Sequence, residues 1–216
     1  MKNNDRYKTS HLSEAQYEPG SRNRVPRNLL GIKRKREIEQ TKTEALEHIT
    51  DILFKTYDQD YRFREADIKY MHSLWLKDVY AWAGEYRNVN ISKGDFPFAA
   101  ARQVPQLMST FEKEVLRKHT PCNFKTLKRV IRALAEVHTE LVLIHPFREG
   151  NGRITRVLAT LMATQAGLPL LDFSEIRGKK KEEYFVAVQA GIDKDYKPME
   201  AIFDLIISKT VNDQER

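Results

Sequence analysis

The sequence predicts an all-α bundle with one short β-hairpin, and three observations support this fold class. Apolar residues recur at helical spacing over most of the chain, whereas a clear polar–apolar alternation occurs once, at residues 88–92. The 216 residues contain 9 glycines and 8 prolines, too few turn signals for a many-stranded sandwich or barrel. A hydrophobic share of 41% with 31% charged residues is typical of a folded chain with one main core.

Residues 1–30 form a polar segment that we predict to be a loop-like arm, laid on or projecting from the body. Pro19, Gly20 and Pro26 interrupt helical periodicity there. Residues 1–43 hold 11 Lys and Arg against 5 Asp and Glu, so most of the net charge of +7 lies at this end. The basic run at 33–36 is compatible with nucleic acid or an acidic partner. A solvated basic face is the commoner meaning, and no helix-turn-helix or zinc-finger pattern accompanies the run.

Two helices and a hairpin are predicted next, and residues 31–210 are taken as one domain with its core at about 67–170. The second helix opens at Asp67 and continues to Trp82, with Gly84 as its stop. The alternation at 88–92 precedes a turn at residues 93–95, which predicts a short hairpin. The first helix carries its apolar stripe at Ile38, Ala45, Leu46, Ile49, Ile52 and Leu53.

Five further helices follow the hairpin, and residues 211–216 are predicted to be a flexible tail. Pro121 separates the first two helices, while Gly167 and Pro169 stop the third. Helical spacing places these five helices at 104–115, 124–142, 152–162, 185–190 and 198–207. The spacing of apolar residues along all of them predicts a bundle with a shared core.

The single cysteine, Cys122, excludes an intramolecular disulfide and any site that needs several thiolates. A reducing compartment suits such a chain, so we expect the cytoplasm. The first residues contain no apolar run like that of a signal peptide. No segment approaches the roughly 18 uninterrupted apolar residues of a membrane span, so no membrane segment is expected.

The segment from His145 to Arg156, HPFREGNGRITR, contains the residues most suited to catalysis or ligand binding. Two glycines around Asn151 allow successive backbone N–H groups to point inward, and the helix that follows adds the positive end of its dipole. This combination predicts an anion-binding nest. Arg153 lies three residues before Arg156 on that helix, so both guanidinium groups can grip phosphate oxygens. A nest beside two cations predicts a polyphosphate ligand.

Two further residues of the segment are candidates for metal binding and proton transfer. Glu149 is its only carboxylate, and a magnesium ion bound with nucleotide phosphates usually takes one or two carboxylates. His145 is the one group nearby able to accept a hydroxyl proton near neutral pH. Each residue alone has an ordinary structural explanation, such as a capping histidine, a tight turn or surface ion pairs. Their coincidence in one loop favours function.

Other nucleotide and hydrolase motifs are missing from the chain. There is no G-x-x-x-x-G-K-[ST], H-E-x-x-H or G-x-S-x-G, and the third glycine of G-x-G-x-x-G is replaced by Thr155. The segment instead resembles the H-x-F-x-[DE]-G-N-G-R-x-x-R signature of the Fic family of adenylyltransferases, matching every fixed position. Similarity extends through VYAWAGEYR at 79–87 and NVNISKG at 88–94, over roughly residues 28–205.

This resemblance implies a Fic-type helical bundle that transfers AMP from ATP to a Tyr, Ser or Thr hydroxyl of a target protein, releasing pyrophosphate. The family roles fall on the motif residues one by one. His145 is then the general base, Glu149 the Mg²⁺ ligand, and Phe147 a buried anchor for the loop. Gly150, Asn151 and Gly152 form the phosphate nest, and Arg153 with Arg156 clamps the β- and γ-phosphates.

The resemblance also implies that the hairpin is a flap that holds the target segment by strand addition. Its predicted target-binding residues are Ile91, Ser92, Lys93 and Gly94. Tyr184, on a late helix, is a candidate wall for the adenine base of ATP. An aromatic residue there is more often part of the core.

Regulation and two rival functions stay open at this point. Many Fic proteins carry an inhibitory [ST]-x-x-x-E-[GN] helix, whose Glu occupies the second motif Arg, here Arg156. Ser10 with Glu14 and Thr110 with Glu114 match only in part, which leaves a small antitoxin in trans, or no inhibitor. The related Doc toxins are kinases with Lys in place of Gly152, so Gly152 favours AMP transfer. The other rival is a catalytically idle module that binds nucleic acid or protein.

Overall fold

The computed structural model describes residues 12–176 and 178–214, and this part of the chain contains seven helices and one two-stranded sheet. The predicted all-α fold class with a short hairpin is therefore confirmed. Residues 1–11, with Ser10 of the partial inhibitory match, lie outside the described residues. The helices are α1 Lys35–Thr56, α2 Glu65–Leu76, α3 Val104–Phe111, α4 Leu127–Ile144, α5 Asn151–Gln165, α6 Lys179–Ala190 and α7 Lys197–Gln214.

Helix α4 is the centre of the bundle. It contacts α3, α5, α6 and α7, and apolar side chains are buried on most of its surface, as expected for a helix surrounded by others. Helix α3 continues through a π-helical stretch, Glu112–Leu116, and a last turn, Arg117–His119, before the predicted break at Pro121. Helices α1 and α2 pack together, and α2 also touches α5. Because α4 ends and α5 begins on either side of residues 145–150, the core fixes both ends of that loop.

Helix α2 ends at Leu76, earlier than the sequence predicts. The N–H groups of Val79 and Tyr80 both donate to the Leu76 carbonyl, so the chain turns there. Trp82, which lies in this turn, stacks on Tyr80 and is buried. The apolar spacing up to Trp82 thus comes from turns packed against the core and not from a continued helix.

The hairpin is shorter than predicted and lies further along the chain. Strand β1, Ser92–Lys93, pairs antiparallel with β2, Phe96–Pro97, across a turn in which Gly94 has φ of +58°. Lys93 therefore belongs to a strand and not to the turn. The alternating residues 88–91 precede β1. The Ile91 carbonyl still accepts the Phe98 N–H across the hairpin at 3.2 Å, whereas the Asn88 N–H donates to Glu14.

The described part of the N-terminal arm lies on the body. It contains a short 3₁₀ turn, Ser13–Ala15, and Tyr17 pairs with Pro26 in an isolated bridge. Val25 is fully buried, so the arm contributes to the core. At the other end, α7 continues through Gln214, so residues 211–214 are helical and the predicted flexible tail is wrong there. None of the described helices combines the length and apolar character that crossing a membrane requires.

Candidate active site

The motif loop, residues 145–150, is closed by the side chain of Asn151, the first residue of α5. Asn151 is buried, its Oδ1 accepts the Phe147 N–H at 2.8 Å, and its Nδ2 donates to the Phe147 carbonyl at 2.7 Å. These two bonds tie the start of α5 to the middle of the loop. The Asn151 side chain is thus occupied within the loop, and the predicted nest is left to backbone N–H groups at the start of α5.

His145 ends α4 in the left-handed conformation, with φ of +51°. Its Nδ1 lies 2.9 Å from the Val142 carbonyl oxygen, which can only accept, so Nδ1 carries the proton and Nε2 keeps its lone pair. The ring stacks on Phe98 at a centroid distance of 3.7 Å. Burial lowers the pKa of His145 to about 4, and the charges of Arg87 and Lys93 act in the same direction. The imidazole is neutral at pH 7, as a proton acceptor must be.

A second histidine, His72, supports the loop from below. It is fully buried, and it accepts the Gly84 N–H at Nδ1, so Nε2 donates to the Glu149 carbonyl at 3.0 Å. Phe147 stacks on its ring at 3.9 Å with the planes 7° apart. Burial lowers the pKa of His72 to about 4, so the ring stays neutral and both its hydrogen bonds persist at neutral pH. Phe147 is therefore a buried residue beneath the loop.

The two glycines of the nest have different surroundings. Gly150 has φ of +84°, and a Cβ added there would lie 2.6 Å from Cζ3 of Trp75. A Cβ at Gly152 would meet nothing within 4 Å. The first glycine is thus required for the path of the chain, because the loop passes directly over the Trp75 ring. The second leaves open space at the N-terminus of α5.

Glu149 and Arg153 form a cluster of four charged side chains with Glu39 and Lys42 of α1. The buried amine of Lys42 lies 2.7 Å from Oε1 of Glu39 and 3.5 Å from Oε1 of Glu149. Nη2 of Arg153 lies 3.0 Å from Oε2 of Glu39 and 3.7 Å from Oε1 of Glu149. Partial burial acts to raise the pKa of Glu39, but the hydrogen bond from Lys42 and the two cations lower it overall. The Glu39 carboxylate therefore stays ionised between two cations.

Arg156, the second motif arginine, has no such partner among the residues that the structure describes. Its Nε is buried without a hydrogen bond, and its guanidinium lies 5.6 Å from the centroid of the Phe173 ring. Glu14 and Glu18, the two carboxylates in the described part of the arm, bind elsewhere. Glu14 accepts the Asn88 N–H at 2.8 Å, and Glu18 accepts the Asn28 N–H at 3.2 Å. Neither carboxylate is paired with Arg156.

A cleft of about 890 Å³ brings most of the predicted site residues together. The flap forms one wall, the motif loop and α5 form the floor, and α6 forms the opposite wall. Phe147 is not among the lining residues because it lies beneath the loop. The predicted residues that line the cleft are Ile91, Ser92, Lys93, Gly94, His145, Glu149, Gly150, Asn151, Gly152, Arg153, Arg156 and Tyr184.

On α6, Tyr184 was predicted to be the wall for adenine, but the more exposed ring in the cleft belongs to its neighbour Phe185. Tyr184 is buried, its hydroxyl lies 2.8 Å from Nε2 of His138, and burial raises the pKa of Tyr184 to about 12. The next residue, Phe185, is half-buried in the cleft, and the amine of Lys93 lies 3.5 Å from the centroid of its ring. Tyr184 is thus mainly a core residue at the edge of the cleft, and a cation–π contact to Phe185 joins the flap to α6.

Comparison with known proteins agrees with this geometry. Residues 62–163 match the Fic/DOC family. The chain carries a Fic/DOC-family domain. The matched segment of this Fic domain runs from just before α2 to near the end of the motif helix, and Glu39 and Lys42 of the charged cluster precede it.

Three relatives of this Fic-domain chain illustrate the likeness. It is 26% identical over 186 residues to a protein named probable protein adenylyltransferase Fic from Escherichia coli strain K12, covering 86% of this chain and 88% of that one. It is also 31% identical over 140 residues to protein adenylyltransferase VbhT from Bartonella schoenbuchensis. This alignment covers 65% of this chain and 29% of VbhT. A crystal structure of BepC from Bartonella tribocorum with bound AMPPNP superposes with a TM-score of 0.71 at 21% identity, covering 91% of this chain and 97% of that one, which shows a shared fold.

Several site residues were not found by sequence reasoning. Lys42 falls on the apolar stripe of α1, four residues after Ile38, and a charged residue on such a stripe was the available signal. His72 and Phe98 had no signal of their own, since their roles depend on contacts with residues far along the chain. Arg87 closes the similar segment 79–87 without an assigned role.

Proposed function

We propose that this chain is a protein adenylyltransferase that transfers AMP from ATP to a Tyr, Ser or Thr hydroxyl of a target protein. The observation that carries the proposal is the free Nε2 of His145, held neutral in the same cleft as the start of α5, where the nest is predicted. A proton acceptor beside a polyphosphate site is the minimum apparatus for nucleotidyl transfer to a hydroxyl.

In the proposed reaction, Nε2 of His145 accepts the proton of the target hydroxyl as its oxygen attacks the α-phosphorus of ATP. The bond from the α-phosphorus to the bridging oxygen of the β-phosphate breaks, and pyrophosphate leaves with that electron pair. The negative charges of the bound nucleotide favour the protonated imidazole and so raise the pKa of His145 from its low value towards neutrality. The base is thereby strengthened only when ATP is present.

The nest and the arginines set the orientation of ATP. Backbone N–H groups at the start of α5 face the phosphates, and the helix dipole favours their charge. Arg156 is free to bind the γ-phosphate, whereas Arg153 must share its guanidinium with Glu39. The open space at Gly152 leaves room for the phosphates in the orientation that transfers AMP. The edge of Tyr184 and the ring of Phe185 are the proposed wall for adenine.

Glu149 is the proposed Mg²⁺ ligand. Its carboxylate is partly exposed in the cleft and is an oxygen donor of the kind that magnesium prefers, so the site fits the ion. Within the described residues no group of three or more His, Cys, Asp and Glu side chains gathers around a point, so Glu149 would hold the ion without such a cluster. Bound Mg²⁺ would neutralise phosphate charge as the pyrophosphate leaves.

The flap is the proposed binding site for the target. Ser92 and Lys93 are exposed on a strand paired on one side by β2, so an extended target segment can add to the other side. The Phe98 ring, just after β2, lies against His145 and so links the flap to the base. The cytoplasm stays the proposed location, since Cys122 is a free, buried thiol.

ATP labelled at one phosphate distinguishes this function from the kinase alternative. The protein is incubated with a cell lysate and ATP labelled either at the α- or at the γ-phosphate, and labelled proteins are then identified by mass spectrometry. AMP transfer predicts label from the α-phosphate and a mass increase of AMP on Tyr, Ser or Thr. Label that comes only from the γ-phosphate would make the chain a kinase like Doc.

A catalytically idle binding module is the second alternative, suggested by the basic run at 33–36. It predicts no protein labelling from either form of ATP, together with nucleic-acid binding that weakens steeply with salt. The proposal predicts labelling whether or not nucleic acid is bound.

We also propose that no part of the arm inhibits the enzyme, so that any inhibitor is a separate small protein, as for the toxin of a toxin–antitoxin pair. The unpaired Arg156 and the binding of Glu14 to Asn88 support this. Such a partner should place a carboxylate against Arg156. Glu14→Gln and Glu18→Gln should each leave the rate of AMP transfer at or below that of the intact chain. A rise of about tenfold or more with Glu14→Gln would identify the arm as the inhibitor.

A further inference from the structure

Arg87 is a buried cation that binds only main-chain oxygens among the described residues. Its side chain is 1% exposed. Burial lowers the pKa of Arg87, and the nearby charge of Glu14 opposes this effect, so the guanidinium keeps its charge. Burying a charge is costly unless its donors are all satisfied. Nε donates to the carbonyl of His145 at 2.7 Å, Nη1 to that of Val89 at 2.8 Å, and Nη2 to those of Ala99 and Ile144.

These four carbonyls belong to the two parts of the site that must meet during the reaction. Ile144 and His145 end α4, where unpaired carbonyls and the negative end of the helix dipole favour a cation. Val89 and Ala99 lie just before and just after the flap, whose strands run from Ser92 to Pro97. One side chain therefore joins the backbone of the proposed base to both ends of the flap.

The backbone of His145 needs such support. A residue with a Cβ at φ of +51° adopts a sparsely populated conformation, which persists only where neighbouring contacts impose it. The Nε bond to the His145 carbonyl supplies one contact, and the Arg87 N–H supplies another at the Pro146 carbonyl, 2.9 Å away. The ring is held separately, by stacking on Phe98, which precedes the Ala99 that Arg87 also binds.

We infer that Arg87 is a positioning residue for AMP transfer: it holds His145 and the flap in a fixed relation, so that the base meets the hydroxyl of a target bound on the flap. The inference rests on the proposed function. Arg87 does not line the cleft, and it acts through His145 and the flap ends. A displacement of the base by about 1 Å costs on the order of 100-fold in rate.

The test compares Arg87→Met and Arg87→Lys with a matched control, Gln165→Ala. Gln165 is also buried, and it binds the Cys122 N–H and the carbonyls of Asp58 and Tyr61. It lies at the far end of α5, about 21 Å along the helix from Asn151. The control thus removes buried hydrogen bonds without touching the site. All variants are compared at a temperature at which thermal unfolding shows each to be folded.

Three measurements are made on the full chain. The first is the maximal rate of AMP incorporation into a cell lysate from α-labelled ATP, and the second is the dissociation constant of a non-hydrolysable ATP analogue. The third is hydrogen exchange of residues 88–99 and 144–151. We expect Arg87→Met to lower the maximal rate by roughly 10- to 100-fold, to change analogue binding less than about twofold, and to speed exchange in both segments. Arg87→Lys, which keeps the charge with fewer donors, should fall between Arg87→Met and the original chain.

A purely structural role for Arg87 gives a different result. Arg87→Met and Gln165→Ala would then show the same maximal rate per folded molecule, or exchange would rise equally throughout the chain, and either result would overturn the inference. If Arg87→Met does not fold, the same comparison is made with Arg87→Lys. If the unmodified chain incorporates no AMP, the proposed function fails, and the exchange data still decide whether Arg87 couples His145 to the flap.

Discussion

Oε2 of Glu39 lies 3.0 Å from Nη2 of Arg153, which joins α1 to the first arginine of the motif. The same guanidinium lies 4.8 Å from the centroid of the Trp75 ring, so its position is set by a carboxylate and an aromatic ring together. A phosphate of ATP that binds Arg153 must share the guanidinium with Glu39 or displace it. Under the proposed function, we therefore expect the affinity for ATP to depend in part on a helix that precedes the matched family segment.

Glu39→Gln should tighten the binding of ATP, because it removes the negative charge that competes with phosphate for Arg153. A partly exposed ion pair contributes about 0.2–1 kcal/mol, so the dissociation constant should fall by at most about fivefold. Titration calorimetry with a non-hydrolysable ATP analogue measures the change. Glu47→Gln, an exposed position on the same helix, is the control and should have no effect. Weaker binding in Glu39→Gln would mean that Glu39 orients Arg153 for the phosphate.

His145→Ala should abolish AMP transfer while leaving ATP binding largely intact. The imidazole acts on the target hydroxyl, and a general base commonly contributes about 10²- to 10⁴-fold to the rate. The rate from α-labelled ATP and the dissociation constant of the analogue are measured on the same preparation, with thermal unfolding as the check on folding. Near-normal transfer at saturating ATP would remove His145 from the mechanism.

The protein should lose stability as the pH falls from about 6.5 to about 4. Burial lowers the pKa of His72 to about 4, of His138 to about 3 and of His145 to about 4. Between these values and the ordinary value of about 6.5 the unfolded chain binds more protons, so the free energy of unfolding decreases as pH decreases. Each imidazole contributes up to about 1.4 kcal/mol per pH unit in this window.

Urea unfolding at several pH values between 7.5 and 4.5 tests this dependence. His145→Ala should make the slope shallower by about one proton, whereas His48→Gln, at an exposed position, should not change it. A free energy of unfolding that stays constant across the window would contradict the burial of three neutral imidazoles.

Gly150→Ala should lose both stability and activity. Its positive φ disfavours any Cβ, and the added carbon would lie 2.6 Å from the rigid Trp75 ring. We expect a loss of roughly 1–3 kcal/mol in the free energy of unfolding, measured with urea. Gly152→Ala is the matched control two residues along, where a Cβ meets nothing, and its stability should be close to that of the original chain. Equal stability of the two variants would show that the loop does not pass over Trp75 as described.

The sequence by itself predicts the helical fold class, most of the helices and the chemistry of the motif segment. These features are encoded over short distances: apolar spacing identifies a helix within a few turns, and HPFREGNGRITR places a base, a carboxylate, a nest and two arginines within twelve consecutive residues. The apolar spacing predicted that α2 continues to Trp82, which is wrong. Val79 and Trp82 lie in turns after the helix and are buried by packing against the core.

Only the tertiary structure decided what surrounds the motif. Lys42 reaches Glu149 across more than a hundred residues, Arg87 reaches His145 across 58, and His72 reaches the Glu149 carbonyl across 77. No local pattern encodes such contacts, because they depend on how the helices pack and on which buried polar groups must then find partners. The same packing leaves Arg156 without a carboxylate partner among the described residues and binds Glu14 to Asn88. The motif supplies the proposed reactive groups, and long-range packing sets their orientation, their burial and their hydrogen-bond partners.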